Sequence, residues 1–235
     1  MNIPSKTRIT VAPRLPRRCW SRCAAAAVVV ASAAGAAWAQ APSNTSLNAQ
    51  LLVGARQNDT AAVARALAAG AVTESRNRLG KTALLIAAEN GNVELATALL
   101  KAGAEVNTAS LERVTPLMAA SYKGSAEIVK RLLEAGAKTE PLDRMNKPAA
   151  VYAAGQGHAA ALDALLSAGV DVNAAYEHRL TALMWAAGQG HVDAVKQLLM
   201  RGARPDLRDD RGLTAREIAS QAGHGGVVAL LPGPP

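Results

Sequence analysis

The chain has no phenylalanine, and aromatic residues together make up only 3% of its 235 positions. With half of the residues apolar, the core must come from alanine, leucine and valine. Small side chains let helices approach closely, so packed helices are favoured over a sheet sandwich. Cysteine is almost as scarce, with Cys19 and Cys23 the only two. Beyond position 23 this excludes a disulfide framework and a thiolate metal site. The composition fits neither a collagen-like nor a disordered chain, and the length allows one or two domains with a substantial core.

Acidic residues are missing from the start of the chain: none precedes Asp59, whereas Lys6, Arg8, Arg14, Arg17, Arg18 and Arg22 are all basic. An apolar run of 16 residues follows, Ala24 to Ala39, short of the roughly 20 that span a bilayer. It ends in Ala37-Trp38-Ala39, the small-x-small pattern of a signal-peptidase site. These features predict a secretory signal over 1–39, cut between Ala39 and Gln40, and a periplasmic or secreted protein. An uncleaved anchor or an organelle-targeting segment is the alternative. Arg17-Arg18 leaves the general and twin-arginine routes both open, and Cys23 precedes the apolar run, which argues against a lipoprotein anchor. Of the formal +8, six charges leave with the signal, and the remaining 20 basic and 18 acidic residues give +2. That excess offers no general attraction to phosphate, so neither nucleic acid nor stable membrane insertion is expected.

The rest of the chain repeats itself. Thr82 opens T-A-L-L-I-A-A, Thr115 T-P-L-M-A-A-S, Thr181 T-A-L-M-W-A-A and Thr214 T-A-R-E-I-A-S, at spacings of 33, 66 and 33. The missing member falls at Pro148, in P-A-A-V-Y-A-A. Gly91, Gly124, Gly157, Gly190 and Gly223 keep the same period, as do the pairs Leu99-Leu100, Leu132-Leu133, Leu165-Leu166 and Leu198-Leu199. A glycine follows each pair, at Gly103, Gly136, Gly169 and Gly202. The threonines can N-cap helices, Pro116 suits a first helical position, and Thr214 with Glu217 makes a capping box. The leucine pairs are expected in the core, each buried leucine contributing about 1.5–3 kcal/mol where a neighbouring repeat covers it.

This pattern resembles the ankyrin repeat, with its period of 33 and signature T-P-L-H-x-A. The resemblance implies an all-α solenoid of stacked helix-turn-helix units with β-turn fingers, about six repeats including degenerate caps. The expected repeats lie near 47–78, 79–111, 112–144, 145–177, 178–210 and 211–231, after a linker at 40–46 and before a tail at 232–235. No repeat keeps the signature histidine: Leu85, Met118, Val151, Met184 and Glu217 stand there. The finger Glu140-Pro141-Leu142-Asp143 is irregular, and Pro148 predicts a locally weaker ladder near it.

Catalytic patterns are absent from this sequence. Gly155-Gln156-Gly157 and Gly188-Gln189-Gly190 lack the strand context and remaining residues of a phosphate loop. No nucleophile elbow occurs, so neither an enzyme nor a cofactor is expected. His158, His191 and His224 recur in register, but repeats about 8–10 Å apart cannot bring three imidazoles to one metal ion. His178 stands alone in a finger. The resemblance instead implies a partner protein, bound to a monomeric chain by finger tips and inner helices. Candidate contacts on the fingers are Arg78, Leu111, Arg113, Arg144, Met145, Tyr176, Glu177, Arg179 and Arg211. On the first helices they are Tyr122, Lys123, Tyr152, Gln156, Trp185 and Gln189. Tyr152 and Trp185 occupy a slot that can also serve packing, and both readings stay open. Tyr152, Tyr176, Arg179 and Trp185 are expected to form one patch. The resulting function is a non-catalytic interaction scaffold outside the cytoplasm; an accessory factor for an extracytoplasmic enzyme and a structural spacer are the alternatives.

Overall fold

A computed structural model describes residues 44–233, and the expected signal segment and its cleavage site lie outside them. Among the described residues twelve α-helices form six consecutive pairs. The first helices of the pairs are α1 (Asn44–Gln57), α3 (Ala83–Asn90), α5 (Pro116–Lys123), α7 (Ala149–Gly155), α9 (Ala182–Gly188) and α11 (Ala215–Gln221). The second helices are α2 (Thr60–Ala68), α4 (Val93–Lys101), α6 (Ala126–Glu134), α8 (Ala159–Ser167), α10 (Val192–Met200) and α12 (Gly225–Val228). Each first helix packs on the next first helix and each second on the next second, giving a two-layer solenoid. No strand forms among the described residues, and no described helix is long and apolar enough to cross a membrane.

Helix starts follow from side-chain chemistry. The hydroxyls of Thr82, Thr115, Thr181 and Thr214 each accept the amide three residues on, at 3.3 Å. The residue in the signature-histidine position answers in three of these repeats. The amide of Thr214 donates to Glu217 at 2.7 Å, and those of Thr115 and Thr181 donate to the thioethers of Met118 and Met184 at 3.5 Å. Methionine thus substitutes for the missing histidine by lending a weak acceptor. At Pro148 the exchange vanishes from both sides: proline has no N–H and Val151 has no acceptor.

The core differs from expectation in the leucine pairs. Leu99, Leu132, Leu165 and Leu198 are fully buried, but Leu100, Leu133, Leu166 and Leu199 are only partly so. Adjacent residues on a helix point about 100° apart, so both cannot face one neighbour. Alanines such as Ala87, Ala120, Ala153 and Ala186 fill the seams between first helices. At the N-terminus, α1 starts at Asn44, inside the expected linker. Leu47 and Leu51 lie one turn apart and are both buried, and a helical turn ahead of Leu47 supports them.

The three in-register histidines are ties between repeats. His158, His191 and His224 place Nε2 3.0, 3.0 and 3.1 Å from the carbonyl oxygens of Tyr122, Gly155 and Gly188 in the preceding repeat. A carbonyl can only accept, so Nε2 carries the proton. The rings lie so close over Gly124, Gly157 and Gly190 that a Cβ there would collide with them.

Candidate functional site

Two neighbouring fingers and the helices beneath them make the most featured surface. In the finger at 142–148, Asp143 is only 2% exposed. Its Oδ1 accepts the amides of Met145 and Lys147, both at 2.8 Å, and its Oδ2 takes a short hydrogen bond from the Tyr152 hydroxyl. Asn77 and Asp209, in register with it, tie their own fingers through two amides each. The irregular stretch is therefore knotted at Asp143. Pro148 still gives α7 no side-chain cap. Burial, then the bond to Asp143, raises the Tyr152 hydroxyl pKa above its ordinary value. The Tyr152 ring meets Tyr122 edge-on, with centroids 5.8 Å apart at 84°.

The finger at 175–181 is built otherwise. Tyr176 stands where the other finger has Asp143, so no side-chain carboxylate ties the loop. The backbone closes it through a single bridge between Ala175 and Thr181 and one 3-10 turn, Glu177–Arg179. His178 and Arg179 are both left-handed, at φ 57° and 55°, a conformation that disfavours side-chained residues. Tyr176 is partly buried, and desolvation, then Asp171, raises its pKa.

Between these fingers lies a hollow of about 450 Å³. A second, of about 300 Å³, opens beside it over α5, α7 and α9. Both are lined by Met145, Lys147, Val151 and Trp185, which makes them one groove. The Lys147 ammonium rests 4.5 Å from the centroid of the Trp185 ring.

The groove collects nine of the sequence candidates. Arg144, Tyr176 and Glu177 line the larger hollow, Tyr122, Tyr152, Gln156 and Gln189 the smaller, and Met145 and Trp185 both. Tyr152 and Trp185 pack against the core and also face the groove, so packing and contact are combined in each. Arg179 lines neither hollow, and the expected patch keeps only three of its four members. Arg78, Leu111, Arg113 and Lys123 lie elsewhere on the surface, all exposed. Arg211 is held by Asp209 at 2.7 Å and borders a separate hollow with His178 and Leu180. Sequence reasoning did not name Lys147 or Val151 as contacts, and took Asp143 as part of an irregular finger. The period could have found Asp143, since Asn77 and Asp209 share its register; nothing local marks Lys147. Among the described residues no group of three or more histidine, cysteine or acidic side chains is placed to hold a metal ion.

A comparison with curated proteins finds none that matches. The family model for ankyrin repeats in sets of three copies matches residues 51–143, 108–176 and 150–233. With those matches covering most of its length, and six helix pairs stacked at the same period, the chain belongs to the ankyrin-repeat family.

Proposed function

We propose that the chain is a non-catalytic scaffold that docks a single protein partner in the groove between the fingers at 142–148 and 175–181, outside the cytoplasm. Ankyrin repeats point to protein–protein interaction, but a repeat fold supplies only a surface, and function lies in the residues it carries. The observation that carries the reading is the continuity of the two hollows across Trp185. Aromatic and methionine side chains around a concavity are the usual anchors of an interface. Export rests on the basic start, the short apolar run and Ala37-Trp38-Ala39.

Cross-linked pull-down from the extracytoplasmic fraction of the source cells tests the docking. One partner is expected with the parent chain and none with a Tyr176→Ala, Trp185→Ala variant of unchanged helicity. Equal capture by both would move the site away from the groove. Intact-mass measurement of the exported protein should give a chain beginning at Gln40; a chain retaining its first residues in that fraction would overturn the cleavage.

A further inference from the structure

The groove wall carries few charged groups. Asp143, in the finger beside it, is taken up by Tyr152 and two amides, and Glu177 on the wall lies 3.9 Å from His178. The two cations of the wall differ. Arg144 is paired with Glu112 at 3.1 Å, whereas Lys147, which lines both hollows, pairs with no carboxylate among the described residues. An ammonium seated on a ring face keeps N–H donors free for an anion. Met145, Val151, Leu180 and Trp185 give the larger hollow apolar walls.

We infer that the occupant of this groove is an acidic, extended segment of another protein, which sets an apolar side chain against Trp185 and a carboxylate on Lys147. The inference rests on the docking function proposed above and names the chemistry of its partner. The chain's own leader does not suit the groove, because every charge ahead of Asp59 is basic. A nucleic acid would meet the same cations, but the Trp185 face under Lys147 is closed to a stacking base.

Panning a phage-displayed library of random short peptides on the whole chain tests this. The expected survivors are net acidic, carry a large apolar residue and bind more weakly as salt is added. Lys147→Glu should weaken them roughly tenfold, Lys147→Met less, and Trp185→Ala should abolish capture, with thermal unfolding of the two Lys147 variants unchanged. Neutral or basic peptides that depend on Trp185 would overturn the acidic partner and keep the docking groove. A library yielding no peptide sensitive to Trp185→Ala or Lys147→Glu would overturn both. Binding of a labelled oligothymidylate that depends on Lys147 and shifts Trp185 fluorescence would replace the peptide by nucleic acid.

Discussion

The fingers at 142–148 and 175–181 answer the same geometric demand by opposite means. The first has lost its capping threonine to Pro148 but is knotted by a buried carboxylate, Asp143. The second keeps the cap at Thr181 but has Tyr176 in the knot position and two left-handed residues at its tip. Of these departures Tyr176 and His178 line the groove, and the others lie in the fingers that bound it. Positions where local rules are broken are where function is expected, because stability elsewhere in the fold offsets the local cost. The contrast teaches that a repeat protein can free a surface for binding by relaxing one finger while tightening its neighbour.

The largest test removes the knot. Asp143→Ala leaves two amides and the Tyr152 hydroxyl without their acceptor. A loss of about 3 kcal/mol in urea unfolding is expected, together with faster amide exchange at Met145 and Lys147. A loss below that of an ordinary surface substitution would show that the finger does not depend on Asp143. The second test restores what Pro148 lacks. Pro148→Thr alone should gain about 1 kcal/mol, since its hydroxyl can accept the Val151 amide as that of Thr82 accepts Leu85, and adding Val151→Met should contribute a smaller increment through the weak thioether acceptor. Equal effects of the single and double variants would break the account of the matched loss.

Acid sharpens the comparison further. Burial raises the Asp209 pKa, but the amides of Leu213 and Arg211 and the Arg211 guanidinium outweigh it and hold the carboxyl below its usual value. A lowered pKa stabilises fully above the ordinary carboxylate range and is lost as pH falls toward the folded-state value. Amide exchange at Leu213 should therefore rise below about pH 4, while Tyr176 and Leu180, in a finger without such a carboxylate, show no matching step. The smallest effect is at Arg179: Arg179→Gly relieves a left-handed side-chained residue and should raise stability by about 0.5 kcal/mol, leaving groove binding intact.

Much of this architecture was legible in the sequence because the period carries it. Thr82, Thr115, Thr181 and Thr214 marked helix starts by a local hydrogen bond, which needs only neighbouring residues. Gly103 and its equivalents marked helix ends for the same reason. The groove was legible only in part. Tyr152, Tyr176 and Trp185 could be placed on adjacent repeats by counting, but Lys147 reaches Trp185 across 38 positions through a loop whose path no periodicity describes. Arg179 misled because His178, left-handed beside it, adds a turn that the other fingers lack, whereas Arg179 itself shares its left-handed backbone with Gly80, Arg113, Asn146 and Gly212 in register. The second leucine of each pair misled because spacing alone does not say how far round the helix a neighbour extends.

The histidine ties have a mechanical consequence. They bolt the third repeat to the fourth, the fourth to the fifth and the fifth to the sixth, and Asn90 holds the first and second through the Ala55 carbonyl at 3.2 Å. Between the second and third, Ser125 occupies the histidine position and makes no side-chain cap. Because each unit of a solenoid is held only by its neighbours, a chain pulled from its two ends meets no such bolt at that turn and relies there on helix packing and on Asn107, which binds the Gly136 carbonyl and the Lys138 amide. The groove lies wholly within the run of four repeats that the histidines hold together.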